Sequence, residues 1–301
     1  MKIINFGSLN MDKTYQVKEF VQSGQTISSP DLNVYPGGKG LNQSIAIARA
    51  GCKAVHTGAI GKDGEFLKQY LSKEGVITEY IQTVDGPSGH AVIQVNQWGQ
   101  NCIIVYPGAN HRISKEHIEQ SLATTEKGDI VLIQNEINNV PYIMESTKRK
   151  SLKLVFNPSP VTEAILEYPL HMVDIFILNE TEAAMLSGVT QTEEMLDRLE
   201  IKYPNSEIIL TLGEKGSVYR YKSKNIKFGI FKTVCVDTTG AGDTFCGYYL
   251  SGIIEGMQPQ KALAFASAAA AIAVSKEGAA TSVPYRSEVE SFSEYKLYIN
   301  I

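Results

Sequence analysis

Short apolar runs at residues 2–6, 54–58, 130–133, 153–156, 175–178 and 207–211 alternate along the chain with longer segments of helical periodicity, at 41–50, 66–74, 115–122, 181–186, 192–201, 242–255 and 261–276. A chain that repeats strand then helix buries both faces of its strands most simply by laying them parallel and covering them with helices. The expected fold class is therefore α/β, a doubly wound, mostly parallel sheet flanked by helices. Thr190 with Glu193 offers a capping box for the segment 192–201. Two segments leave this rhythm for a period of two, at about 13–35 and 90–106. In the second, Val92, Gln94, Asn96 and Trp98 share one face and Ala91, Ile93, Val95 and Gln97 the other. Such strands are expected to form a small projecting β lid. No Pro-, Gly- or Ser-rich linker, internal repeat or low-complexity tract divides the chain, so residues 1–301 read as one domain with the lid as an insertion.

Composition narrows the class of partner. A formal net charge of −4 with pI near 5.8 gives no general attraction to nucleic acid or to an anionic membrane. The basic cluster Lys148-Arg149-Lys150 reads as the solvated end of a helix. Cys52, Cys102, Cys235 and Cys246 lie far apart without a CxxC pair, which suggests neither a zinc site nor a disulfide framework and fits a reducing cytoplasm. The N-terminal apolar run is broken by Asn5, Asn10 and Asp12, unlike a signal peptide, and the apolar stretch 262–274 is shorter than the ~18 residues of a membrane helix. His56, His90, His111, His117 and His171 show no ligand spacing.

Two glycine-rich turns run into helical patterns. In Asp237-Thr238-Thr239-Gly240-Ala241-Gly242-Asp243, the glycines free the backbone to turn, and the amides at the helix start form an anion site. Asp243 admits two readings: a base that takes a proton from an attacking hydroxyl, or an ordinary N-cap. In Pro36-Gly37-Gly38-Lys39-Gly40-Leu41-Asn42-Gln43, Lys39 and Asn42 supply polar groups on the first turn, and the spacing is not that of a Walker A loop.

Polar residues follow several of the predicted strands. Asn10 and Asp12 lie beyond the first, where a carboxylate can accept from two neighbouring hydroxyls or where an Asx pair can simply turn the chain. Glu136, Asn157, the pair Asn179 and Glu182, and the stretch Thr211-Leu212-Gly213-Glu214-Lys215-Gly216 follow four others. Strand ends sharing one edge make a composite cleft, the usual ligand site of an open α/β sheet.

Taken together, the two glycine-rich motifs resemble the signatures of the ribokinase, or PfkB, family of carbohydrate kinases. The resemblance runs from Gly7 to about Pro284, through Gly7-Ser8-Leu9-Asn10-Met11-Asp12, Asn179-Glu180-Thr181-Glu182 and Gly278-Ala279-Ala280-Thr281-Ser282-Val283-Pro284. It implies a ribokinase-like fold and transfer of the ATP γ-phosphoryl group to a sugar hydroxyl, first of all the 5-hydroxyl of D-ribose. A fructokinase, deoxyribokinase or nucleoside kinase activity, or a sugar-binding regulator without catalysis, are the alternatives.

The same resemblance implies roles at matching positions. Asn10, Asp12, Gly38, Lys39, Asn42 and Glu136 would hold the sugar, Asp243 would be the base, and the amides of Gly240, Ala241 and Gly242 would stabilise the transferring phosphoryl group. Asn179, residues 211–216 and Ser267 would face ATP, with Glu182 orienting hydrated Mg2+. Asp237, Thr239, Ala273, Lys276, Gly278 and Ser282 would bind an activating K+, and the lid would pair two subunits as a homodimer. Three positions depart from the family pattern: Cys246 where Asn is common, Ser267 where His often lies against adenine, and Leu178 in place of Pro.

Overall fold

The alternation of strand and helix is realised in a computed structural model that describes residues 1–299. In chain order the elements are β1 (Ile3–Phe6), β2 (Asn10–Gln16), β3 (Leu32–Gly37), α1 (Lys39–Arg49), β4 (Ala54–Ile60), α2 (Glu65–Lys73), β5 (Ile77–Thr83), β6 (Gly89–Val95) and β7 (Asn101–Tyr106). There follow α3 (Lys115–Ala123), β8 (Ile130–Gln134), α4 (Val140–Arg149), β9 (Lys153–Asn157), β10 (Ile175–Asn179), α5 (Glu180–Ser187), α6 (Thr192–Lys202) and β11 (Glu207–Thr211). The chain continues through β12 (Ser217–Tyr221), β13 (Lys224–Phe228), α7 (Ala241–Ile254), α8 (Pro259–Ala273), α9 (Arg286–Ser291) and α10 (Ser293–Ile299).

Among the described residues, nine strands form one sheet in the order β13-β12-β11-β10-β9-β8-β1-β4-β5, parallel except for the β11-β12-β13 edge. Alternate side chains of the parallel strands go to opposite layers. Ile3, Leu132, Val155, Ile177 and Ile209 pack with Leu41, Ile45, Tyr248 and Phe265 of α1, α7 and α8. Ile4, Val131, Ile133, Phe156 and Phe176 pack with Ile118, Ile143 and Leu196 of α3, α4 and α6. Each such fully buried side chain stabilises the fold by about 1.5–3 kcal/mol relative to exposure, which is why the central strands are nearly continuous apolar runs.

The connection from β1 leads by way of α1 to β4 on one side, whereas β8 and its successors add on the other. The order reverses between β1 and β8. Loops leaving the carboxyl ends of those two strands must diverge there, and the crevice they leave is where a ligand fits.

The second sheet has the order β3-β2-β6-β7, with β2 and β6 parallel and the outer pairs antiparallel. It is the lid expected from the two period-two segments, with three differences. The first lid strand starts at Asn10, so Asn10 and Asp12 are strand residues rather than turn residues. Residues 17–31 form no strand. The alternation of the second segment stops at Val95, because Asn96 Oδ1 accepts from the N–H groups of Trp98 and Gln100, each at 3.0 Å, and closes a turn.

The capping box expected at Thr190 and Glu193 is not formed among the described residues; the helix is capped one residue later and from one side only. Gln191 is the N-cap of α6, its side chain accepting from the N–H of Glu194 at 2.8 Å. Lys148 and Arg149 do lie in the last turn of a helix, α4. No helix among the described residues is long and apolar enough to cross a membrane.

Candidate active site

Two helices begin at the crevice from opposite directions in the sequence. Both start after a glycine whose φ is positive, Gly38 (95°) before α1 and Gly240 (74°) before α7, and neither start has a side-chain cap. A residue with a Cβ is disfavoured in that region, so the glycines are what allow each chain to turn from an extended segment directly into a helix. In α7 the regular pattern begins with Thr244 N–H donating to Gly240 C=O at 2.8 Å, and Ala241 N–H is taken by Thr238 C=O at 3.2 Å. The N–H groups of Gly242 and Asp243 find no backbone acceptor among the described residues. They sit at the positive end of a 14-residue helix, which suits an anion.

The two helices touch where α7 has no side chain. A Cβ on Gly247 would stand 2.4 Å from the Cβ of Ala46, so only glycine permits this approach. One turn towards the amino end of each helix, the same approach brings Asp243 against Asn42 and Gln43. Asn42 Nδ2 donates to Asp243 Oδ2 at 3.0 Å, and Gln43 Nε2 donates to Asp243 Oδ1 at 2.8 Å. Asp243 is 7% exposed and is the third residue of its helix, so it is no N-cap. Its carboxylate is held sideways by α1.

The remaining sugar-side residues named from the sequence gather around this pair. Lys39 opens α1, and its backbone N–H donates to Glu136 Oε2 at 2.9 Å. The same oxygen accepts from the hydroxyl of Ser8. Burial pushes the Glu136 carboxyl up. The Lys39 ammonium is held above its ordinary value chiefly by the charge of Asp243, against the opposing effect of burial, with Glu136 and Glu182 adding to it. Burial, and after it the charge of Glu136, push Asp12 up to about 7. Asn10 is 5% exposed, and its Oδ1 accepts from Asn110 Nδ2 at 2.8 Å. Asn110 is itself pinned to the backbone of Leu9, accepting from its N–H at 2.9 Å. Asn10 is thereby turned to offer its Nδ2 hydrogens.

On the neighbouring strands, Asn179 and Thr211 are register partners at the ends of β10 and β11. Asn179 caps α5: its Oδ1 accepts from Glu182 N–H at 2.9 Å, while the Glu182 carboxylate accepts from Asn179 N–H at 3.0 Å and Nδ2 at 2.8 Å. Glu182 is buried, and burial raises its carboxyl. Residues Gly213–Lys215 form an open, exposed turn closed by Leu212 N–H to Gly216 C=O at 2.8 Å. Ser267 lies on α8 and is 8% exposed.

The segment before α7 lies against the segment after α8. Asp237 Oδ1 accepts from the Thr239 N–H (2.9 Å) and hydroxyl (2.6 Å), and Oδ2 accepts from Gly278 N–H at 2.9 Å. Ala273 ends α8, Lys276 pairs with Glu288 at 2.7 Å, and Ser282 donates to Ala279 C=O at 2.9 Å in a turn.

Gln43, Asn110 and Gln134 belong to the constellation and were not singled out from the sequence. Gln43 stood inside the quoted glycine-rich motif, and Gln134 ends an apolar run, so a polar residue closing a buried strand was the available signal. Nothing marked Asn110.

The family described as "pfkB family carbohydrate kinase" matches residues 1–286. The chain is 34% identical over 298 residues to the ribokinase of Haemophilus influenzae, covering 96% of this chain and 97% of that one. Its fold superposes on the ribokinase of Cryptococcus neoformans var. grubii serotype A in complex with ADP with a TM-score of 0.83 at 36% identity, over 96% and 99% of the two chains. It superposes on Arabidopsis thaliana ribokinase complexed with ribose and ATP with a TM-score of 0.86 at 29% identity, over 96% and 97%.

Proposed function

We propose, from the premise that the chain belongs to the pfkB family of carbohydrate kinases, that it transfers the γ-phosphoryl group of ATP to the 5-hydroxyl of D-ribose, giving ribose 5-phosphate. The observation that carries the reading is the pairing of Asp243, its carboxylate gripped by Asn42 and Gln43, with the unpaired amides at the start of the same helix. A base and an anion site one residue apart meet the two demands of phosphoryl transfer, a proton acceptor for the nucleophile and donors for the charge on the moving group.

In this reading the sugar lies between the lid strand β2 and the start of α1. Asn10 donates to it, Asp12 accepts from its hydroxyls, and Gly38, Lys39, Asn42 and Glu136 close the rest of its pocket. Asp243 takes the proton of the attacking hydroxyl as that oxygen reaches phosphorus. The amides of Gly240 and Gly242 receive the negative oxygens of the phosphoryl group in flight, and that of Ala241 joins them only by giving up Thr238 C=O, its present acceptor. ATP lies along the ends of β10 and β11, against Asn179 and residues 211–216, with Ser267 towards its base. The lid excludes water, which would otherwise accept the activated phosphoryl group.

Mg2+ when bound neutralises the phosphate oxygens of ATP. The described residues hold no group of three or more His, Cys, Asp or Glu side chains that could ligate a metal. Glu182, whose two oxygens already serve Asn179, fits a contact to that ion through water. Asp237, bonded to both Thr239 and Gly278, fits a monovalent-cation site shared by the two loops, completed by oxygens of Thr239, Ala273, Lys276, Gly278 and Ser282.

The whole chain is read as one kinase domain with its lid, working in the cytoplasm. Homodimerisation through the lid is supported by one face of its sheet: register carries Val34 of β3 through Lys13 and Val92 to Ile104 of β7, on the side away from Asp12, and Val34 is 47% and Ile104 66% exposed. Apolar side chains in such a row are what a subunit interface covers.

An ADP-release assay over a panel of sugars tests the function. The greatest kcat/KM should be for ribose. A greater value for fructose, 2-deoxyribose or a nucleoside would move the chain to another activity of the family, and ADP release with no sugar would remove the kinase reading.

A further inference from the structure

We propose that Gln43 is a positioning residue for Asp243, held with its Nε2 towards the carboxylate by a run of buried amides anchored on two backbone carbonyls. The inference rests on the kinase reading above. It begins at Asn5, an amide in the middle of the central strand β1. Asn5 Nδ2 donates to Gly40 C=O at 2.8 Å and to Ser44 Oγ at 2.9 Å. A backbone carbonyl only accepts, so the nitrogen of Asn5 faces α1 and its Oδ1 faces the neighbouring strand. There it accepts from Gln134 Nε2 at 2.9 Å, and the other Nε2 hydrogen of Gln134 goes to Gln43 Oε1 at 2.7 Å.

The second anchor is independent of the first. Asn157, the register partner of Gln134 on β9, donates from Nδ2 to Ile177 C=O at 2.9 Å. Its Oδ1 is thus an acceptor, and it takes one Nε2 hydrogen of Gln43 at 2.9 Å while Asp243 Oδ1 takes the other at 2.8 Å. The two anchors require the same orientation of Gln43. Turning its amide over would aim Oε1 at two acceptors and Nε2 at a donor, in a site closed to bulk solvent because Gln43, Gln134 and Asn5 are fully buried. Gln134 keeps this direction although its own Oε1 has no partner among the described residues.

Asn42 is different. Its Oδ1 is buried without a partner among the described residues, so among them its amide is oriented by Asp243 alone. Gln43 is the member of the pair whose direction the fold dictates. With one donor on each oxygen, the Asp243 carboxylate keeps a fixed plane and a free lone pair on each oxygen for the incoming hydroxyl. Catalysis by a base depends on that placement, since a misplacement of about 1 Å costs up to about 100-fold.

The test uses one substitution at two neighbouring positions. Gln43→Met and Gln134→Met each remove one buried amide of the same network at nearly equal volume, so both should lower thermal stability to a similar degree. Gln43→Met should lower kcat by about 10- to 100-fold, the effect of losing a hydrogen bond to a charged group, with KM for ribose moving less than kcat. Gln134→Met should lower kcat by clearly less than Gln43→Met, because Asn157 still holds Nε2 of Gln43 in place. If Gln43→Met does not fold, Gln43→Glu retains the volume and the acceptor for Gln134 but removes the donor. At alkaline pH it should lose kcat at least as far. Equal kcat losses in the two Met variants, or a Gln43 variant with kcat near wild type, would overturn the proposal. The wild type on ribose judges the kinase reading separately: turnover on another sugar only changes the substrate on which the variants are compared, and turnover on none removes the reading and this inference together.

Discussion

Glu136 stands close enough to Asp12 for its negative charge to add to burial in pushing the Asp12 carboxyl up to about 7. A sugar hydroxyl is a donor, so it binds best to the ionised carboxylate. Below about pH 7 the empty site must first release a proton, and KM for ribose should fall as pH rises through that value. Folding stability shows the opposite sign. Between the ordinary value of 3.8 and about 7 the folded protein holds a proton that the unfolded chain has lost, so this group lowers stability as pH rises across that window. His56, buried neutral and pushed down to about 4, contributes in the other direction below its ordinary value of 6.5. The difference between wild type and Asp12→Asn isolates the effect. The variant should show a higher KM without the step near pH 7, and its sugar-free Tm should fall less between pH 4 and 7. A KM step that survives in Asp12→Asn would assign the titration to another group.

Asp243→Asn keeps the shape of the side chain and an acceptor for one of its two donors, while removing the capacity to accept a proton. Its kcat should fall at least ~10²-fold, the lower end of what a positioned base contributes, with ribose and ATP affinities within about tenfold of wild type. Single-turnover kinetics with equilibrium binding of ribose would separate the two. A kcat above a tenth of wild type would leave Asp243 as a binding residue only.

The parts of the site that were legible in the sequence are those that a strand end announces. The apolar runs ending near Phe6, Ile133, Leu178 and Thr211 marked parallel neighbours, so the polar residues after them had to share an edge. The amides beneath the base were not legible. Asn157 stands out as a strand-end residue, but Asn5, Gln43 and Gln134 each look like an isolated polar interruption, and only the β1-β8-β9 order and the α1-α7 approach at Gly247 bring the four together. The β12-β13 hairpin was hidden for a local reason. Its turn residues Lys222 and Ser223 have φ of 46° and 62°, a conformation whose usual sequence mark is Asn or Gly. Strand β5 was missed because only Ile81 of its side chains is fully buried, which leaves no apolar run.

Ribose should be preferred over 2-deoxyribose. Asn110 fixes Asn10 as a donor and burial of Asp12 makes it a demanding acceptor, so a missing hydroxyl leaves a partner unpaired. Each such group costs about 1–3 kcal/mol, or roughly 5- to 150-fold in kcat/KM. Competition between the two sugars measures the ratio directly. Equal kcat/KM values would make the chain a deoxyribokinase or an unselective pentose kinase.

The cation site proposed at Asp237, which joins two loops, is tested by monovalent-cation activation. One of its oxygens binds Thr239 just before the anion site, and the other binds Gly278 N–H beyond α8, while Val236 and Asp237 donate from their own N–H groups to Val274 C=O at 2.7 and 3.2 Å. These bonds already set the two loops side by side around one anionic side chain. A cation bound beside Asp237 would tie the loops together and stiffen the turn that carries Gly240, without touching either substrate. Turnover at saturating ATP and ribose, measured in sodium or choline buffer at constant magnesium, should rise several-fold with added potassium and saturate. Asp237→Asn should shift that saturation to higher potassium and, because it keeps most of the hydrogen bonds, should change Tm little. An unchanged rate across the titration, with contaminating potassium excluded, would leave Asp237 as the clasp of a turn and nothing more.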